Sequence, residues 1–285
     1  MLYLCDKLFH TPIKHIMKSG LTRMLLLLAV VYCYTSCKKS AIKPVDKNNI
    51  DYAALSKQIA LNLVQSISGK YGGTDINEGI KAPSHIASNH SGPVLFSVNP
   101  LCGYTIDTTY NTIATAGDTA KTFFGNFKFV YTCSTSTPDG YMVHDSLINT
   151  EKGSLFNNKF TTAQDYTVKA LDQTYKLVSM DGHLFSLVET AVLTGGNTVS
   201  HNNTYIGYKL QGLKVDVSGG AADIISGTAL LNVTIDRQDK GWPDSIITTT
   251  LGTLEYLGNH MAKLTLTPPN KSYLVNLLTG EVTAI

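Results

Sequence analysis

Arginine and tryptophan are scarce in this 285-residue sequence. Arg237 is the only arginine after Arg23, and Trp242 is the only tryptophan. Residues 1–36 contain four of the 23 basic residues and one of the 21 acidic residues, so 19 basic and 20 acidic residues follow them. Nucleic-acid binding requires a basic surface that neutralises phosphates. We therefore expect no nucleic-acid partner.

Long apolar segments are also missing. The run over residues 24–34 has 11 residues, whereas a membrane-spanning helix needs about 20. A cleaved export signal accounts for so short a run better than a permanent membrane span does. An internal hydrophobic helix is the alternative.

The residues around this run have a recognisable order. Lys18 and Arg23 precede it, and Thr35 and Ser36 come directly before Cys37. Charge, apolar run, small residues and cysteine in this order resemble a bacterial lipoprotein signal peptide. The resemblance implies that Cys37 is acylated, becomes the mature N-terminus and anchors the chain to a membrane. Cys33, which follows bulky residues, is the weaker candidate.

The resemblance also implies a division of the chain. Residues 1–36 are the predicted signal peptide, and within them residues 1–16 precede Met17, which we expect to be the true start. Residues 37–50 are polar and lack an apolar period, so they form a lipid-anchored flexible tether. Residues 51–285 form a single β-rich domain. We expect an outer-membrane location in the cell envelope, with the periplasmic or surface face left open.

The predicted domain has one helix, followed by strands. Leu55, Ile59 and Leu63 recur at helical spacing and predict an amphipathic helix over 52–67, with Asp51 as its N-cap. From residue 93 onward, alternating runs are separated by turn signals, which predicts antiparallel strands. The expected fold is mainly β: a curved sheet, a sandwich or a partly open barrel.

Two cysteines follow Cys37. Cys102 and Cys133 are about 30 residues apart, and an isolated pair in an oxidising envelope indicates a disulfide. Two buried thiols are the alternative. Cys102-Gly103, Cys133 and the closing segment 273–282 together resemble the β-rich envelope lipoproteins of uncharacterised function in the Bacteroidota. That resemblance supports the fold rather than a function.

Residues that could carry catalysis do not form a motif. His144 and Asp145 are adjacent in a predicted strand and point to opposite faces. Asp181 and His183 lie across a predicted turn, with no nucleophile placed beside them. His85 and His90 lie in a polar loop with no further ligand to complete a metal site. We predict no catalytic residues, no metal and no cofactor, and we lean against an enzyme.

The predicted function is therefore that of a non-catalytic binding, structural or adhesive module of the cell envelope. Trp242, in a glycine-containing loop, is a candidate contact for an envelope protein or a glycan. A loop anchor folded onto the sheet is the alternative role for this residue. The alternative functions are an envelope hydrolase acting on glycan or peptide, and a carrier of lipid or a small apolar ligand.

The anchoring prediction is tested by Cys37→Ala. Without the acylated cysteine the chain loses its lipid chains, so we expect it to leave the membrane fraction for the soluble fraction. Fractionation followed by immunoblotting measures this. Cys33→Ala is the matched control and should stay with the membrane; retention of Cys37→Ala there would contradict the anchor.

Overall fold

The computed structural model describes residues 50–81 and 102–285. Within them, one α-helix, α1 (Tyr52–Ile67), and a 3₁₀ turn (Ile76–Glu78) precede eleven strands. The strands are β1 (Thr105–Ala116), β2 (Thr119–Thr132), β3 (Gly140–Lys152), β4 (Phe156–Ala170), β5 (Leu177–Thr194), β6 (Asn197–Asp216), β7 (Asp223–Gln238), β8 (Ile246–Gly258), β9 (Met261–Thr267), β10 (Lys271–Asn276) and β11 (Val282–Ala284).

The eleven strands form one sheet in which every strand pairs with its neighbours in the chain. All pairs are antiparallel. The sheet is not closed, so β1 and β11 are its edges. This confirms the mainly β, antiparallel prediction and selects a single open sheet over a sandwich. Hairpin connections between successive strands are short enough to produce this simple order.

The helix α1 has the predicted bounds and covers the inner face of the sheet. Asp51 caps it, because Asp51 Oδ1 accepts hydrogen bonds from Ala53 N at 3.1 Å and Ala54 N at 3.0 Å. Ile59 and Leu63 on its apolar stripe are completely buried. The helix therefore supplies the apolar surface that the inner face of the sheet needs.

The sheet curves around the helix from both sides. At one side, Asn62 Nδ2 donates to Ser186 Oγ of β5 at 2.6 Å, and Tyr208 of β6 donates its hydroxyl to Ile59 O at 3.0 Å. At the other, α1 contacts β9, β10 and β11. Non-adjacent strands can touch one helix only if the sheet bends, so α1 lies in the concave face.

One predicted turn is wrong. Asp181-Gly182 was expected to separate two strands, but it is a bulge within the long strand β5, where the pairing register with β6 shifts between Met180 and Gly182. Gly182 has φ +147°, and a Cβ there would lie 2.3 Å from Asp165 O. Asp181 Oδ1 accepts a 2.6 Å hydrogen bond from Gly212 N, at a second irregularity on β6. Asp-Gly thus bends the strand here instead of ending it.

The predicted signal peptide, Cys37 and residues 38–49 of the predicted tether lie outside the described residues, as do His85 and His90. The described residues belong to one compact unit. Among them, no helix has the length and apolarity that crossing a membrane would require.

The predicted disulfide is present. Cys102 and Cys133 are bonded, with Cα atoms 5.8 Å apart. They flank the open ends of β1 and β2, which pair along their whole length. The bond therefore holds the edge strand β1 to β2 at the end away from their connecting turn.

Removal of this disulfide should lower stability. Cys102→Ser/Cys133→Ser opens a loop of 31 residues, and loop entropy predicts a loss of about 3 to 4 kcal/mol in the free energy of unfolding. Urea denaturation measures the loss. The unaltered chain with added reductant is the control and should match the double variant; equal stability with and without reductant would contradict the prediction.

Candidate functional site

A broad groove of about 460 Å³ crosses the outer face of the sheet from β3 to β7. We call it the outer groove. Its lining contains both apolar side chains and side chains that can form hydrogen bonds. The side chains that point into it are those of His144, Ala163, Asp165, His183, Phe185, Lys209, Leu230 and Asn232, together with the bare backbone of Gly207.

The outer groove forms because small residues lie on both sides of Phe185 in the neighbouring strands. Phe185 pairs with Ala163 on β4 and with Gly207 on β6. A Cβ added at Gly207 would have no neighbour nearer than 3.9 Å. Phe185 is 38% exposed, and Leu230 on β7 is 42% exposed. The apolar side chains of Phe185 and Leu230 are therefore exposed, next to positions where the small residues leave space.

Polar side chains form a row across the strands beside Phe185, and Leu230, opposite Lys209, lies at the end of this row. The pairing register sets Asp165 opposite His144 on β3 and opposite His183 on β5, and His183 opposite Lys209 on β6. His144 Nδ1 lies 3.8 Å from Asp165 Oδ2. Both side chains are largely exposed, so this contact contributes little to stability. The row offers hydrogen-bond donors and acceptors to a ligand.

A second depression, which we call the inner trough, lies on the concave face beyond the C-terminal end of α1. It has a volume of about 340 Å³, and Phe123, Phe160 and Val188 contribute apolar side chains to it. Tyr71 stacks on Phe160 with ring centroids 3.9 Å apart. Lys121, whose Nζ lies 2.9 Å from a Glu151 carboxylate oxygen, is also in its lining.

A buried polar cluster lies under the turn that follows α1. Asp145 is 1% exposed, and its Oδ2 accepts a 3.0 Å hydrogen bond from Gln164 Nε2. Thr74 and Tyr166 are hydrogen-bonded through their hydroxyls beside it. Among the described residues, Asp145 Oδ1 has no hydrogen-bond partner. Gly73, with φ +88°, covers the carboxyl so closely that a Cβ would lie 2.5 Å from Oδ2.

Burial raises the pKa of Asp145 to about 8, against the smaller opposing effect of the hydrogen bond from Gln164. The neutral carboxyl is favoured because an unpaired charge in an apolar interior is costly. His144, its neighbour in sequence, is exposed on the outer face, as the alternation of β3 predicted. The two side chains are therefore on opposite sides of the sheet and cannot share a proton.

Trp242 does not line either depression. It is half-buried in the loop after β7, where the guanidinium carbon of Arg237 lies 5.3 Å from its ring centroid. Its carbonyl accepts a 3.2 Å hydrogen bond from Gln238 Nε2. These contacts match the loop-anchor alternative, and its role in binding stays a prediction. Within the described residues, no group of three potential metal ligands occurs.

Most of the outer groove was not predicted from the sequence. Alternation along β5 places His183 and Phe185 on the same face. Their neighbours Ala163, Gly207 and Leu230 come from other strands, and only the pairing register identifies them. His183 lies in this groove, opposite Asp165 on β4 and Lys209 on β6.

No family model, curated protein or solved structure matches this chain. The chemistry of the outer groove therefore has to be inferred from its own side chains.

The raised pKa of Asp145 predicts a pH-dependent stability. An unfolded aspartate has a pKa of about 4, so between pH 4 and about 8 the folded chain keeps a proton that the unfolded chain releases. Stability should then fall as the pH rises through this window, by up to about 1.4 kcal/mol per pH unit.

Asp145→Asn should remove this slope and stabilise the chain at pH 7, since the neutral amide needs no proton. Urea denaturation at several pH values measures the difference from the unaltered chain. Asp165→Asn, an exposed change on the outer face, is the control and should leave the slope in place. Parallel pH profiles for Asp145→Asn and the unaltered chain would contradict the burial argument.

Proposed function

We propose that this chain is a lipid-anchored extracytoplasmic binding module of the outer membrane and that its outer groove binds a glycan. The segment 17–37, with its basic, apolar and small residues before Cys37, supports the anchor. Lipidation at Cys37 leaves the polypeptide outside the membrane with its sheet available to partners. The 13 residues of 38–50 can span at most about 45 Å, enough to let the domain reach beyond the lipid surface.

The observation that carries the glycan proposal is the composition of the outer groove. Phe185 on β5 and Leu230 on β7 contribute apolar surface on either side of the bare backbone of Gly207 on β6. Asp165, Lys209 and Asn232 add hydrogen-bond acceptors and donors to the same groove. A sugar ring has an apolar face of C–H groups and a rim of hydroxyls. An aromatic platform with hydrogen-bonding side chains at its edge suits both parts.

The same geometry favours binding over catalysis. Glycoside hydrolysis uses two carboxyl groups on either side of the scissile bond. Among the described residues that line the outer groove, Asp165 is the one whose carboxylate points into it. Asp145, although protonated at neutral pH, faces the interior on the other side of the sheet. The groove therefore supplies recognition without a matched acid and base.

The shallow, exposed shape of the outer groove also indicates what form of ligand it binds. The outer groove is a shallow depression that crosses five strands, and Phe185 and Leu230 remain over a third exposed. A chain of sugar units can lie along such a surface and continue past both ends. The proposed ligand is thus a segment of an extended glycan rather than a small molecule enclosed by the protein.

Phe185→Ala tests the platform. Removal of the ring takes away the stacking surface, so we expect the affinity for a bound oligosaccharide to fall about tenfold or more, equivalent to about 1.4 kcal/mol. A glycan array with the full chain in detergent identifies the oligosaccharide, and titration calorimetry measures the affinity of each variant.

Ile247→Ala is the matched control, since Ile247 is an exposed apolar residue of β8 away from the outer groove. It should bind as tightly as the unaltered chain. Three results would overturn the proposal: binding of peptides but not glycans, turnover of the glycan, or retention of an apolar ligand that Phe160→Ala in the inner trough releases. The last would identify a carrier instead.

A further inference from the structure

The strand β1 is a long edge of the sheet that the described residues form. It pairs with β2 over all twelve of its residues without a register shift. On its other side, no strand among the described residues pairs with it. Every residue of β1 from Asn111 to Ala116 is exposed.

The backbone groups that point outward can be identified from the pairing. Tyr131 N donates to Tyr104 O at 3.0 Å, so the hydrogen bonds of residue 104 face β2. In an antiparallel pair this direction alternates along the strand. The N–H and C=O groups of the odd-numbered residues of β1 therefore point away from β2, where no described strand pairs with them. These residues are Asp107, Thr109, Asn111, Ile113 and Thr115, with Thr105 at the start.

Edge strands usually carry features that prevent further pairing, such as lysine, proline or a bulge. β1 contains no lysine, arginine or proline, and its one charged residue is Asp107. Its sequence is rich in threonine and isoleucine, which favour strands. The opposite edge, β11, has three residues, so it offers little length for pairing.

We propose that β1 pairs antiparallel with β1 of a second copy, about a two-fold axis at Asn111. In this register Asn111 faces Asn111 of the second copy, Thr109 faces Ile113, and Asp107 faces Thr115. No like charges oppose each other. The pairing adds about ten backbone hydrogen bonds and joins two eleven-stranded sheets edge to edge.

Self-pairing is favoured over head-to-tail growth. A two-fold axis uses the same long edge of both copies and closes the assembly at two. Pairing of β1 with β11 would engage three residues and leave most of β1 open. The axis stands perpendicular to the sheet, so the outer faces of both copies, with their outer grooves, remain on the same side.

The pairing would also extend the inner trough. Thr112 and Ala114 of β1 form its outermost described wall. In the proposed register Tyr110 of the second copy lies beside Thr112, on the same face. A second copy thus adds an aromatic side chain where the trough of one copy ends at the sheet edge.

Asn111→Cys tests the axis directly. Residues directly opposite in a hydrogen-bonded antiparallel pair have Cα atoms about 5.5 Å apart, within the range for a disulfide. Mild oxidation of the full chain in detergent should give a species of twice the mass on a non-reducing gel, reversed by reductant. Ile113→Cys is the control, because its sulfur would lie about 13 Å from its counterpart along the strand.

Asn111→Lys provides the second measurement. It sets two ammonium groups against each other at the axis, and Asn111 is exposed, so the fold should keep its melting temperature. In sedimentation the unaltered chain should have twice the mass of this variant at the same concentration. A monomeric unaltered chain at every concentration, or equal cross-linking at positions 111 and 113, would overturn the proposal.

Discussion

The packing of a single helix against the concave face of an open sheet is the interaction on which this structure depends. A sheet of eleven strands has two faces, and at least one must be removed from water for the domain to fold. Ile59 and Leu63 of α1 are completely buried there, and residues from β2 to β10 complete the same core. Without the helix, the inner face would be a large exposed apolar surface.

Among the described residues, no helix or further sheet covers the outer face or the edges of this sheet. The outer face consequently carries threonine, histidine and charged side chains, as one wet face of an antiparallel sheet should. A depression forms there because Ala163 and Gly207 flank Phe185 across three strands. Because the sheet is not closed, β1 pairs with one strand only among the described residues. The outer groove and the edge are thus products of the same architecture.

The packing of α1 and the turn after it into the concave face also buries polar groups. The turn after the helix, with Gly73 at positive φ, folds over Asp145 and removes it from water. Its carboxyl accepts one hydrogen bond from Gln164. Burial raises its pKa to about 8, so the carboxyl keeps its proton near neutral pH and carries no uncompensated charge. The neighbouring hydroxyls of Thr74 and Tyr166 pair with each other. This cluster ties the turn to β3 and β4.

Local patterns in the sequence determined the elements of this protein. The spacing of Leu55, Ile59 and Leu63 and the cap at Asp51 defined α1 to the residue, and alternation with turn residues predicted antiparallel strands. The positions of the cysteines predicted the bond between Cys102 and Cys133, because these are the two cysteines that follow Cys37. The prediction of a turn at Asp181-Gly182 was wrong. The same dipeptide can form a turn or a bulge, depending on which strand pairs beside it. Only the tertiary structure decided the curvature of the sheet and which residues lie beside Phe185. It also decided that Asp145 is buried, on the face of the sheet away from His144. Those features depend on register between strands distant in the chain, and no local pattern encodes which residues meet across a sheet.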